Sequence, residues 1–438
     1  MSRVVLSLRK AILTKMIGNI EVTKDLALLL FIGGLYALSI ALSNTFVNVY
    51  LWKQSGEFID LALYNLASVV FQPITFILAG RWAKKIDRII VLRLGVIFLA
   101  IFFTTVLLLG EQANRYILLL GALIGIGYGF YWLAFNVLTF EITEPDTRDF
   151  FNGFLGLLTS FAGMIGPIVS GLIITKMSSF TGYTVIFSIS LGLFVVSVLL
   201  SFLLQRRSAE GRYYFKEILQ ERKHNKNWAQ ILYAHFFQGL REGTFMFVIT
   251  VWVYIVTQSE LALGTYGLVA SSVQFVAYYL ATRLIKPAYR KKAILIGGLI
   301  LYGAIFLILF QLSFPKLITY GVIISLAYPM LLVPYLSLTY DVIGKAKNAK
   351  EMRIEYIVVR EVFLNSGRII SVLAFIATIS FFPEKTGIPI LLLFLGAGHT
   401  CIYWFVRKVR FSGPEGGKGV PFSTQRNGEN GSTGGTTF

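Results

Sequence analysis

Continuous apolar stretches long enough to cross a lipid bilayer recur along almost the whole chain, and this narrows its fold more than any other feature. A hydrocarbon core about 30 Å thick asks for about 20 apolar residues in helical form, and every backbone polar group within it must be satisfied internally. Strands of a membrane barrel would alternate apolar and polar residues over about ten positions, whereas these runs are unbroken. Twelve spans can be placed, at approximately 25–50, 58–81, 89–110, 114–142, 150–176, 182–204, 228–257, 262–285, 292–312, 316–344, 354–382 and 387–408. Only 14% of the residues are charged, against about 25% in soluble domains. The fold class that follows is an all-α polytopic membrane protein.

A net charge of +18 raises the question of nucleic acid. The basic residues, however, gather in alternate connections: Arg81, Lys84, Lys85 and Arg88 after the second span, and Arg290, Lys291 and Lys292 after the eighth. The opposite connections carry little beyond Lys53, Arg115, Lys176, Lys316 and Lys385. This is the positive-inside pattern. It predicts a multi-pass membrane protein with both termini cytoplasmic, an anionic inner leaflet as the partner of the basic loops, and no nucleic-acid partner. The single cysteine, Cys401, rules out a disulfide framework. His224, His235 and His399 lack ligand spacing, so no metal or other cofactor is expected.

The organisation expected is a basic amphipathic leader (1–24), a first six-helix bundle (25–204), a basic cytoplasmic linker (205–227), a second bundle (228–408) and a disordered cytoplasmic tail (409–438). Val4, Val5, Leu8, Ile12 and Met16 alternate in the leader with Arg3, Arg9, Lys10 and Lys15, although a disordered basic segment reads equally well. A surface helix is expected over Tyr213–Lys223. A monomer is expected.

The two halves repeat. Gly80–Gly95 after the second span aligns with Thr282–Gly297 after the eighth, so that Arg88 maps to Arg290 (290 − 88 = 202). The same offset lays Tyr64 on Tyr266 and Gln72 on Gln274. A duplication in one orientation implies two pseudo-symmetric six-helix bundles about an axis normal to the membrane.

On these residues the chain resembles the major facilitator superfamily, as a bacterial twelve-span member. The family's Gly-x-Leu-Ala-Asp-Arg-x-Gly-Arg pattern stands here as Gly80-Arg81-Trp82-Ala83-Lys84-Lys85-Ile86-Asp87-Arg88. Gly80, Ala83 and Arg88 match. Lys84 replaces the aspartate that helps latch the cytoplasmic side in the family, and Asp87 is the candidate to stand in from a shifted place. The fifth span carries Gly163-Met-Ile-Gly166-Pro167-Ile-Val-Ser170-Gly171, similar to the Gly-Pro motif of antiporting members. It also reads as a small-residue packing face bent by proline. The resemblance implies a secondary active transporter that works by alternating access.

Charges at membrane depth carry the functional reading, since each costs roughly 2.5–3.5 kcal/mol on insertion scales. In the seventh span His235, Gln238 and Glu242 share a helical face, with Arg241 at its edge. In the eleventh, Glu361, Asn365 and Arg368 do the same. Arg360 lies beside them, either within the set or extended to the headgroups. Glu242 is the expected proton carrier, with Arg241, Arg368 and Glu361 compensating its charge. The competing reading is a structural network, in which Arg241 and Glu361 join Glu242 and Arg368 to clamp span 7 to span 11.

Asn44, Asn48, Gln72, Tyr128, Trp132, Asn136, Gln238, Gln274 and Asn365 are the substrate-cavity candidates. Gly80, Asp87, Arg88, Glu141 and Asp341 are the cytoplasmic gate candidates, Glu141 and Asp341 occupying matching places (341 − 141 = 200). The leading expectation is proton-coupled efflux of a small amphipathic or drug-like molecule. Uptake or exchange of an anionic metabolite gripped by Arg241 and Arg368 is the alternative. A non-transporting membrane sensor or scaffold is the rival from another class. No nucleophile–base pair or phosphate loop points to an enzyme. Gly121 and Gly125 lack the preceding strand and following lysine of a phosphate cradle and read as packing glycines.

Overall fold

The computed structural model describes residues 23–410 apart from 143–144, 178–179, 206–210, 310, 347 and 350. The expected leader up to residue 22 and the tail from 411 lie outside the described residues. The first bundle holds α1 (Lys24–Ser55), α2 (Phe58–Lys85), α3 (Arg88–Leu109), α4 (Ile117–Ile142), α5 (Pro145–Lys176) and α6 (Thr181–Ser201). A short α7 (Phe215–Glu221) lies in the linker, inside the stretch expected to form a surface helix. The second bundle holds α8 (Lys226–Thr257), α9 (Glu260–Leu284), α10 (Arg290–Ile305), α11 (Phe314–Gly344) and α12 (Arg353–Phe381). Its last span is divided into α13 (Glu384–Gly396) and α14 (Gly398–Val406). No strand occurs among the described residues. Ten segments are long and apolar enough to cross a membrane, one of which, Arg88–Thr139, contains both α3 and α4. With the shorter α10, this makes twelve transmembrane helices in two bundles.

The internal repeat is written into the helix ends. α1 and α8 are each 32 residues and start 202 positions apart (226 − 24). Each stops on a left-handed residue, Gly56 at φ 70 and Gln258 at φ 50, again 202 apart. Glycine takes this conformation without penalty; Gln258 bears the steric cost in the second copy. One extended residue follows, Glu57 or Ser259, before α2 or α9 begins. The connection α1–α2 therefore has the same form as α8–α9.

Small residues set the approach of neighbouring helices. On α4, Gly121, Gly125 and Gly129 lie four apart and face Tyr64, Ser68 and Thr75 of α2, as packing glycines would. On α8 and α12, a Cβ at Gly239 would stand 1.9 Å from the carbonyl oxygen of Leu364, and one at Gly367 2.0 Å from that of Phe236. These two backbones meet with no side chain between them, and the hydroxyls of Thr244 and Ser371 hydrogen-bond across the contact at 2.9 Å.

Between the bundles, two helix pairs carry most of the contact. α5 packs on α9: Gly163 against Ser271, Pro167 against Gly264 and Gly267, and Gly171 on the backbone of Glu260. Gly166 of the same motif rests on Ala41 of α1. α2 packs on α12, from Phe58–Phe375 at one end to Gly80–Val358 at the other. The end at which α1 begins and α14 finishes is called basal below, and the opposite end distal.

Candidate transport site

A cavity of about 590 Å³ opens beside the close contact of α8 and α12. Its wall includes His235, Gln238, Arg241, Glu242 and Phe245 of α8, Tyr266 and Gln274 of α9, Tyr320 and Tyr328 of α11, and Arg360, Glu361 and Arg368 of α12. Every residue on it comes from the second bundle. Three guanidinium groups and two carboxylates thus face one space.

Glu242 is held from three helices. Arg368 donates to Oε2 through Nη2 at 2.6 Å and Nε at 3.3 Å. Oε1 accepts from the Gln238 amide at 2.9 Å and from the Tyr328 hydroxyl at 3.1 Å. Because the Gln238 nitrogen points to Glu242, its oxygen faces His235 Nδ1 at 3.0 Å, which places the hydrogen on Nδ1. Asn365 stands behind, fully buried; it accepts from Arg368 at 3.3 Å and donates to the carbonyl of Glu361 at 2.9 Å. The pair is nevertheless not sealed off, since the Glu242 and Arg368 side chains keep 13% and 16% of their exposure on the cavity side.

The remaining charges sort differently from the expected network. Glu361 pairs with its neighbour Arg360, not with Arg368 or Arg241. Arg360 is buried and lines the cavity, which corrects the alternative of a side chain extended to the headgroups. Arg241 joins neither pair. Its Nε and Nη2 are buried without a hydrogen-bond partner, its guanidinium lies 4.5 Å from the Phe245 ring centre, and Tyr320 is beside it.

Of the substrate-cavity candidates, Gln238 and Gln274 line the cavity and Asn365 supports it from behind. The candidates of the first bundle do not line it. Asn44 accepts from Tyr128 at 3.1 Å, and Asn48 from Asn65 at 3.0 Å, so these oxygens are bonded inside their own bundle. Gln72 is buried on α2, and Asn136 is half-buried on α4. Trp132 borders a separate pocket of about 280 Å³ with Tyr36, Tyr131 and Phe135. Ile40 and Gly33 also border it, and under the 202 offset they correspond to Glu242 and His235. The first bundle thus builds a counterpart pocket without charges.

The gate candidates separate into two kinds. Arg88 pairs with Glu141 at 2.7 Å, and Arg290 with Asp341 at 2.7 Å. These two equivalent pairs tie α3 to α4 and α10 to α11 within a bundle. Asp87 caps α3, its Oδ1 accepting from Ile89 N–H at 2.8 Å. Gly80 does sit at the bundle interface, against Tyr213 and Val358.

Two ion pairs that join the bundles were not among the expected site residues. At the basal end Lys84 of α2 meets Glu355 of α12 at 2.6 Å, both side chains buried, and also donates to the Glu351 carbonyl at 2.7 Å. The linker is tied in: Tyr214 N–H donates to Glu355 at 3.1 Å, and burial, then nearby Glu355, hold the Tyr213 phenol above its usual pKa and therefore neutral. At the distal end Lys53 of α1 meets Glu260 of α9 at 2.8 Å, and Tyr183 donates to the same carboxylate at 3.0 Å. In both cases the lysine comes from the first bundle and the glutamate from the second. A signal existed for the first: a lysine in place of the family's acid calls for an acid on the facing helix.

The Major Facilitator Superfamily profile matches residues 29–370. The chain is 64% identical over 404 residues to "Uncharacterized protein YqgE" of Bacillus subtilis (strain 168), covering 92% of this chain and 94% of that protein. It is 68% identical over 177 residues to "Uncharacterized protein in sodM 3'region" of Geobacillus stearothermophilus, covering 40% of this chain and 83% of that protein. Among solved structures, the human organic anion transporter MFSD10 (TETRAN) superposes with a TM-score of 0.62 at 15% identity, over 87% of this chain and 98% of that one. At this identity the likeness concerns the fold.

Proposed function

Because the chain belongs to the Major Facilitator Superfamily, a family of membrane transporters, we propose that it moves a small amphipathic solute by alternating access, with Glu242 carrying a coupled proton. The observation that supports this most directly is the Glu242–Arg368 pair on the wall of the 590 Å³ cavity. Burial favours the neutral form of a carboxylate and a guanidinium favours the charged form. A change in access that alters either influence moves the proton on or off. An imposed membrane potential then supplies about 2.3 kcal/mol per charge per 100 mV.

The basal end carries the basic connections, and on the positive-inside rule it faces the cytoplasm of a bacterial cell. The Gly163–Gly171 motif is occupied by packing between α5, α9 and α1, so it lends no separate weight to export. The direction of net transport follows from the gradients and from the charge of the solute. The test is solute counterflow and pH-driven accumulation in vesicles holding purified Glu242→Gln. Counterflow is expected to survive and accumulation to vanish. Accumulation that follows the pH gradient as in the unmodified protein would refute the proton role.

A further inference from the structure

The cavity wall holds one more cation than anion: Arg241, Arg360 and Arg368 against Glu242 and Glu361. Arg368 is neutralised by Glu242 and Arg360 by Glu361. Arg241 is left over. It is 7% exposed and touches the Tyr320 hydroxyl and the Phe245 ring, but Nε and Nη2 have no hydrogen-bond partner and no ion pair reaches it among the described residues. A guanidinium does not lose its proton in a protein, so it cannot escape burial by becoming neutral.

The fold does not demand this charge. The equivalent of Arg241 under the 202 offset is Ser39, and that of Glu242 is Ile40, on a helix of the same length in the first bundle. Beyond Arg241 the wall turns apolar, with Phe245, Met246, Ile249 and Ile324. A planar fork of donors next to an apolar surface matches a carboxylate on an apolar body, and the volume lies in the range of pockets for small organic molecules.

We propose that the solute is a small amphipathic organic anion, its acidic head on Arg241 and its apolar body against Phe245, Met246 and Ile249, and that it travels together with the proton. This rests on the transporter reading above and names its substrate class. The groups facing Glu242 are His235 and Arg241 on its own helix, Tyr278 on α9, and Tyr328 and Tyr335 on α11. From α12 come Arg360, Glu361 and Arg368, and from α14 His399 stands near Arg241. An anion placed among them favours the protonated form of Glu242, and a proton on Glu242 leaves the wall with one more uncompensated positive charge. Each ligand therefore tightens the other, as linkage requires. The outcome is symport. A cationic solute would compete with the proton and give exchange.

The test uses the full chain in lipid vesicles and three probes of one shape: naphthoate, naphthamide and naphthylmethylammonium, with protein-free vesicles as the blank. Naphthoate is expected to bind about ten-fold more tightly than the other two, and Arg241→Gln to remove that preference while naphthamide binding stays the same. Arg241→Lys is expected to keep part of it. Lowering the pH from alkaline to mildly acidic should tighten naphthoate binding, and Glu242→Gln should hold the tight value throughout. Naphthoate bound no better than the other probes, or equally well by Arg241→Gln, overturns the anion site; binding that weakens or stays level on acidification overturns symport. Flux separates the two readings. Naphthoate bound through Arg241 but never accumulated would sink the transporter reading alone, and pH-driven movement of the cationic probe would sink the anion inference alone.

Discussion

Glu355→Gln is expected to unlock the basal end. The carboxylate is fully buried and lies 2.6 Å from Lys84, itself nearly buried. Removing one partner of a buried pair costs about 3–5 kcal/mol, because the remaining charge stays out of water. Here the lower end applies, since Lys84 keeps the carbonyls of Glu351 at 2.7 Å and Arg212 at 3.3 Å. The pair spans α2 and α12, so the loss weakens closure between bundles and leaves each bundle folded. About 3 kcal/mol shifts the ratio of open to closed roughly 100-fold, at 1.4 kcal/mol per decade.

The assay places a cysteine at Val358, buried against Gly80, in a Cys401→Ser background that removes the only native thiol. Labelling by a membrane-impermeant maleimide then reports opening, because reaction of a transiently exposed site tracks the open population. The rate should rise about 100-fold with Glu355→Gln, at 1.4 kcal/mol per decade. It should fall back when Lys84→Met and Glu355→Leu are combined, since an apolar pair carries no desolvation cost. Unchanged labelling with a lowered melting temperature would refute the reasoning and make the pair a brace for folding.

The distal pair should matter less: Lys53 is about a quarter exposed, so Lys53→Met is expected to cost about 1 kcal/mol, seen as a modest widening of spin-label distances between the distal ends of α1 and α9. Gly367→Ala should be severe for its size, because the new methyl would meet the backbone carbonyl of Phe236 and cannot rotate away. Overpacking of about 1–3 kcal/mol is expected as a lower melting temperature in detergent, together with loss of pH-driven uptake as Glu242 and Arg368 part. A melt matching that of the unmodified protein would show that α8 and α12 have room to separate.

The architecture was legible because it rests on local and periodic signals. Unbroken apolar runs specify membrane helices wherever they occur. The 202-residue offset read along the second and eighth spans recurs at the ends of α1 and α8, and the matching acids Glu141 and Asp341, 200 apart, pair with the matching Arg88 and Arg290. The face shared by His235, Gln238 and Glu242 was legible for the same reason, since helical spacing alone puts them together. Helical spacing does not say which neighbour a face will meet. Asn44 and Asn48 had the pattern of cavity residues, yet their side-chain oxygens accept from Tyr128 and Asn65 within the first bundle. Lys84 and Glu355 stand 271 positions apart (355 − 84) and meet only because two bundles close on each other. Arg241 and Arg368 were equal contenders for Glu242 along the chain. The bare contact at Gly239 and Gly367 brings α12 close enough for Arg368 to take the carboxylate, and it leaves Arg241 on the cavity wall with no acid among the described residues, only Phe245 and Tyr320 beside it. Hydropathy and periodicity act within a helix and survive in a linear string, whereas the pairing of charges depends on distances between helices that exist only after packing.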